Sequence, residues 1–142
     1  MVLGQILRAK GQEVFAIEPT ASLWDAACKM GELNVGSLVV CNERRTLLGI
    51  VTERDILRAV AERRAALAEL SVENHMTRDT VTATSDASLP EAMELMTERR
   101  IRHLPIVDRG ELAGIVSIGD LVKAQLDQVS LEHQFMLTYI QS

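Results

Sequence analysis

The run Gly49-Ile50-Val51-Thr52-Glu53-Arg54-Asp55 returns as Gly114-Ile115-Val116-Ser117-Ile118-Gly119-Asp120, about 65 residues later. A chain that repeats itself at that distance folds as two copies of one supersecondary unit. The match reaches well beyond the seven positions. Ala21-Ser22-Leu23 recurs as Ala87-Ser88-Leu89, Ala26 as Ala92, Met30 as Met96, Glu32 as Glu98 and Leu38 as Leu104, with one residue deleted in the turn before the glycine. The lead-in matches too, since Ile6 and Lys10 align with Val72 and Met76.

Each repeat spans only about 60 residues, too few for a comfortable core of its own, so the two are expected to pack as one module. The composition, 47% hydrophobic and 25% charged, is that of a globular protein. No apolar stretch approaches the ~20 residues that span a bilayer. At the N-terminus Arg8 and Lys10 follow the apolar residues instead of preceding them, the reverse of a secretion signal, and a cytoplasmic location is expected.

Charge and ligand-type residues narrow the function classes. A net charge of -5 argues against binding along a phosphate backbone, and Arg63-Arg64 stands beside Glu62 and Glu69 as a solvated helix face. Cys28 and Cys41 have no Cys-x-x-Cys spacing and read as two buried, reduced thiols. His75, His103 and His133 lack the i, i+4 pairing of a helical metal site, and no metal is expected. The Gly-x-Ser-x-Gly, Walker and Gly-x-Gly-x-x-Gly patterns are all missing, so the chain is not expected to be an enzyme.

Hydrophobic periodicity gives each repeat the order strand, helix, strand, strand, helix. Ser22 with Asp25 and Ser88 with Glu91 form capping boxes ahead of helical patterns through Met30 and Met96, and Pro90 is harmless in a first turn. The paired apolar runs 37–41 with 47–51, and 103–107 with 112–116, read as hairpins around polar turns. Pro105 cannot donate to a ladder, which places its strand at an edge or its start near an open cleft. Weaker opening strands are expected at 14–17 and 80–83. A long helical pattern begins at Thr52, carrying Ile56, Leu57, Val60, Leu67 and Leu70, and another at Ser117, carrying Leu121, Val122, Ala124 and Leu126.

Thr52-x-x-Asp55 and Ser117-x-x-Asp120 admit two readings. One is a capping box, hydroxyl to one backbone N–H and carboxylate to another, which is how all four long helices begin. The other is a ligand site, because a helix N-terminus at a strand end attracts phosphate, a hydroxyl there can bind its oxygen, and an Asp one turn in can accept from two ribose hydroxyls.

With Met76-Thr77 opening the second repeat and Arg102-His103-Leu104-Pro105-Ile106-Val107 inside it, the pattern resembles the cystathionine-β-synthase (CBS) domain pair, or Bateman module, from about Ile6 to Leu126. The resemblance implies a mixed α/β (α+β) fold of two pseudo-symmetric βαββα repeats packed as one module, with an N-terminal lead-in and a C-terminal helix. It divides the chain into repeat 1 with its lead-in at 1–70, repeat 2 at 71–128 and a helical tail at 129–142. It also implies two clefts for adenosine compounds such as AMP, ATP, NAD or S-adenosylmethionine, held as regulatory ligands. One cleft would use Ser117 and Asp120 with Phe15, Ile17 and Val35. The other would use Thr52 and Asp55 with Val81, Ala83 and Ile101, and Ile50 and Ile115 would pack beside the base. Phe15 either stacks on the base or closes its pocket.

Arg102 and His103 match a family position that contacts phosphates, whereas the first repeat has Gly36-Ser37 there. Unequal sites are therefore expected. Lys10, Arg54 and Arg78 could also reach phosphates. The leading functional reading is an adenine-nucleotide sensor that passes its state to a protein target. The alternative is a ligand-free structural adaptor whose motifs are only caps. A homodimer is expected through the faces around Trp24, Met30, Met93 and Met96. In the tail Leu131, Phe135 and Tyr139 form a stripe at i, i+4, i+8, either docked on its own module or offered to a partner.

Overall fold

The structure is a computed structural model that describes residues 1–11, 14–64 and 66–141. In chain order it runs α1 (Leu3–Lys10), β1 (Ala16–Ile17), α2 (Leu23–Leu33), β2 (Ser37–Cys41), β3 (Leu47–Thr52), α3 (Glu53–Arg63), two short 3-10 turns (Leu67–Glu69 and Val72–Asn74), α4 (Leu89–Arg99), β4 (His103–Asp108), β5 (Glu111–Ser117) and α5 (Ile118–Gln141). Two compact units result. One holds 1–12, 82–106 and 113–142; the other holds 13–81 and 107–112. Each unit thereby takes its lead-in from the opposite repeat.

In the unit built on repeat 1, β1 runs parallel to β2 and β2 antiparallel to β3. Leu38, Val40 and Val51 from this sheet meet Leu23, Ala26 and Met30 from α2, Ala59 from α3, and Val72 from the lead-in of repeat 2. The helical i, i+3, i+7 spacing of α2 thus delivers one face to one core. Ser22 and Asp25 close the expected capping box, and Asn34 ends α2 in the left-handed region, φ 55. In the other unit the buried side chains are Leu3, Ile6 and Leu7 of α1, Leu89, Ala92 and Met96 of α4, Leu104 and Ile106 of β4, Val116 of β5 and Leu121 of α5.

The repeated glycines answer to these lead-ins. A Cβ on Gly49 would stand 2.5 Å from the Thr77 carbonyl oxygen, and one on Gly114 would stand 2.7 Å from a Leu7 methyl. Thr77 bonds β3 directly, through Ile50 N to Thr77 O at 3.0 Å and Thr77 N to Ile50 O at 2.8 Å. Only a residue without a side chain admits backbone that close.

Four expectations need correction. The opening strand of repeat 2 is reduced to one bridge, Ala83 with Ile106. In repeat 1 the matching strand gains Val39 N to Phe15 O at 3.0 Å, and Pro105, at the place of Val39, has no N–H to give. The helix from Thr52 stops at Arg63, where Arg64 turns left-handed, and Leu67 and Leu70 follow in and after a 3-10 turn. Cys28 is exposed and Cys41 only partly buried, both free. The tail is no separate element: α5 runs unbroken from Ile118 to Gln141, and the Leu131, Phe135 and Tyr139 side chains are largely exposed.

Candidate functional site

Both copies of the repeated run end a strand and start a helix, and in both the capping box forms. Thr52 N donates to Asp55 Oδ2 at 2.9 Å while Asp55 N donates to Thr52 Oγ1 at 3.3 Å. Ser117 N donates to Asp120 Oδ2 at 2.8 Å and Asp120 N to Ser117 Oγ at 3.1 Å. The bland reading of the spacing is therefore realised twice. What separates the copies is everything around the carboxylate.

The Asp55 side chain is 4% exposed and both its oxygens are engaged. Oδ2 also accepts from Thr52 Oγ1 at 3.1 Å, and Oδ1 accepts from Thr77 Oγ1 at 3.4 Å, with Arg58 Nη1 at 3.7 Å. Beside it Glu53 N donates to Gly36 O, and the Glu53 carboxylate lies over Gly36, 3.0 Å from where a Cβ would be. A buried, satisfied carboxylate next to a second acidic group is a poor seat for an anion.

Asp120 is different. Its side chain is 26% exposed, and every bond it accepts among the described residues ends on Oδ2. The partner that completes it is Lys10, the last residue of α1, whose Nζ donates to Asp120 Oδ2 at 2.6 Å and to the Ile115 carbonyl at 2.9 Å. Burial works to raise the Asp120 carboxyl, but the bonds from Lys10 and Ser117 outweigh it and hold the group below its ordinary value. Ile118 N donates to Arg102 O at 2.9 Å, which ties the start of β4 to the start of α5. His103, the next residue, is half-buried. Burial chiefly lowers its imidazole below the ordinary value, Asp120 opposes, and Lys10 and Arg102 add to the lowering.

Lys10 is thus bonded at a helix start whose Gly119 carries no side chain, where α3 has Arg54, and His103 lies close enough to feel both Lys10 and Asp120. Among the described residues, Ile118 N and Asp120 N have acceptors and Gly119 N–H is the first-turn donor left over. Cations and a free helix N–H at one point form an anion-binding arrangement.

The expected base-side residues divide between the units. Phe15, Ile17, Val35, Thr52, Asp55, Ile50 and Val81 fall in the unit of repeat 1; Ser117, Asp120, Ile115, Ala83, Ile101, Arg102 and His103 fall in the other. Ile17 is a buried core residue, with Phe15 and Val35 packed against that core. Ile50 is buried, Ile115, Val81, Ala83 and Ile101 are partly buried, and Arg102 is exposed. Arg78 is engaged elsewhere, donating to Glu73 O at 2.8 Å. Sequence reasoning did not single out Thr77 or Glu53 as site residues, and only contact across the chain gives them a role. Lys10 was expected only as one of three cations that could reach a phosphate, and its bond to Asp120 had no signal in the sequence.

A model of the CBS domain matches twice, at residues 8–62 and 70–127. The chain belongs to the CBS-domain family. It is 40% identical over 116 residues to an uncharacterized 17.7 kDa protein of Acidianus ambivalens, covering 81% of this chain and 69% of that one. To the mitochondrial CBS domain-containing protein CBSX3 of Arabidopsis thaliana it is 38% identical over 124 residues, covering 84% of this chain but only 60% of the relative. The structure of the CBS-domain protein ATU1752 from Agrobacterium tumefaciens superposes with a TM-score of 0.81 at 38% identity, covering 88% of this chain and 99% of that one.

Two neighbours were solved with ligands. CBSX2 in complex with AMP has a TM-score of 0.77 at 28% identity, covering 89% of this chain and 96% of its own. The CBS pair of MJ0100, in complex with 5′-methylthioadenosine and S-adenosylmethionine, has 0.78 at 25%, covering 90% and 98%. Among the described residues no helix is long and apolar enough to cross a membrane, and no cluster of three or more His, Cys, Asp or Glu could hold a metal.

Proposed function

We propose that this CBS pair is a regulatory module for an adenine nucleotide or S-adenosyl compound, anchored at the start of α5, and that it passes the bound state to a protein target. Asp120 Oδ1 accepts from a ribose hydroxyl, Ser117 Oγ and Gly119 N–H hold a phosphate oxygen, and Lys10, Arg102 and His103 offset its charge. Ile115 packs beside the base. The observation that carries this reading is that, among the described residues, Asp120 is partly exposed with no bond to Oδ1, while Lys10 holds Oδ2 and His103 lies within electrostatic reach. The AMP, methylthioadenosine and S-adenosylmethionine held by related pairs support the ligand class. Such a ligand regulates only if two conformations of the module bind it unequally.

A second reading, the ligand-free adaptor, draws support from Asp55, whose carboxylate is wholly spent on its cap, Thr77 and Arg58. Calorimetry with AMP, ATP, NAD and S-adenosylmethionine separates the two. Wild type is expected to bind at least one of them, Asp120→Ala to bind at least about tenfold more weakly, and Asp55→Ala to bind nearly as wild type while melting lower. No heat with any of the four favours the adaptor. Equal loss in both variants removes the assignment to α5.

A further inference from the structure

The copy of the motif whose carboxylate stays partly exposed is also the copy held by a cation from far away in the chain. Lys10 Nζ donates to Asp120 Oδ2 at 2.6 Å and to the Ile115 carbonyl at 2.9 Å. Ser117 N donates to the same Oδ2 at 2.8 Å, so that oxygen carries two bonds while Oδ1 carries none among the described residues. With two lone pairs to offer, Oδ2 is full. Leu3, Ile6 and Leu7 bury α1 in the same unit, which fixes the helix, whereas the Lys10 side chain remains 30% exposed.

A ribose presents two adjacent hydroxyls. With Lys10 in place, Asp120 can accept from one of them, through Oδ1, and the second needs the lone pair that the ammonium holds. Gripping both therefore displaces Lys10 from Oδ2. An ammonium moved off a carboxylate costs free energy unless another anion receives it. The nearest place for one is the first turn of α5, where Ser117 Oγ and Gly119 N–H stand beside Asp120. A lysine reaches it by rotating its flexible stem, without any movement of α1. Repeat 1 has no such device. Met76 aligns with Lys10, its sulfur lies 3.0 Å from where a Gly49 Cβ would be, and Asp55 takes its side-chain bonds from Thr52 and Thr77.

We propose that Lys10 is a ligand-discriminating latch, which holds Asp120 Oδ2 until a nucleotide brings a 5′-phosphate to receive the ammonium, and so favours adenosine compounds with that phosphate over those without it. A methylthio or sulfonium group at the 5′ carbon gives the ammonium nothing to move to. The latch rests on the nucleotide reading of Asp120 and adds the chemical group that the site selects.

Calorimetry of the full chain with AMP and with 5′-methylthioadenosine, which share adenosine and differ at the 5′ carbon, tests it on wild type and Lys10→Met. The variant keeps an unbranched stem and good helix propensity, and it carries the residue that repeat 1 has at the matching place, so circular dichroism should show it folded. Wild type is expected to prefer AMP by at least about tenfold. Lys10→Met should bind methylthioadenosine at least about threefold tighter than wild type, because no ammonium is displaced, and its preference for AMP should shrink at least about fivefold. A lysine that only pins α1 would weaken both ligands alike when removed. Methylthioadenosine binding that is unchanged or weaker in Lys10→Met, or an unchanged preference for AMP, overturns the latch. Binding of neither compound by wild type also overturns it, and the same silence with ATP, NAD and S-adenosylmethionine overturns the nucleotide reading beneath it.

Discussion

Two aspartates that occupy one position of a repeated run have different chemistry because different side chains reach them. Asp55 meets Thr77 and lies in the core; Asp120 meets Lys10 at a surface and keeps an oxygen to spare. Removing Asp55 strands the Thr52 N–H and the Thr77 hydroxyl, and Asp55→Ala should cost about 1–3 kcal/mol in denaturant unfolding. His103 sets a pH dependence. Its folded pKa lies below the ordinary 6.5, so the unfolded chain takes the proton first. The contribution is fully present above 6.5 and declines as pH falls from there through the lower folded value. Asp120, also lowered, adds a second decline only at acid pH. Unfolding midpoints measured between pH 7.5 and 5 should fall in wild type and fall less in His103→Gln. Apart from Thr52 against Ser117, Glu53-Arg54 against Ile118-Gly119 is the only local difference between the two motifs, and the partner that decides the second, Lys10, is 110 residues from Asp120.

The elements themselves were legible wherever their signal is local. Capping boxes at Ser22, Thr52, Ser88 and Ser117 all form, because hydroxyl and carboxylate lie within one turn of the backbone they satisfy. Helix ends were less legible. Nothing between Ala61 and Leu70 is Gly or Pro, so the periodicity ran on past the true end at Arg63, and no break marks the passage from repeat to tail inside α5. The loss of the second opening strand was written in Pro105, but its meaning depended on which neighbour would have used the missing N–H. The glycines differ in the same way. At Gly49 an added methyl meets backbone and should cost about 1–3 kcal/mol, whereas at Gly114 it meets the end of Leu7, which can turn aside. Thermal unfolding of Gly49→Ala and Gly114→Ala should rank them in that order, and equal midpoints would remove the close-approach explanation.

Over the whole molecule the duplication is broken by its surroundings. One motif faces Glu53 and a filled pocket of hydrogen bonds, the other Lys10 and, within electrostatic reach, His103. Titration with the nucleotide that binds should therefore saturate at one ligand per chain, and two sites of equal affinity would contradict that asymmetry. The repeat, the order of elements, the caps and the CBS resemblance were determined by sequence alone, because periodicity, hydroxyl placement and spacing act within a few residues. Which lead-in packs on which sheet, which aspartate is spent and which remains available, and which face of α5 stays uncovered were decided only by the tertiary structure. Burial and hydrogen-bond partnership are properties of neighbours in space, and the neighbours that matter here, Thr77 for Asp55 and Lys10 for Asp120, come from the lead-in of the opposite repeat.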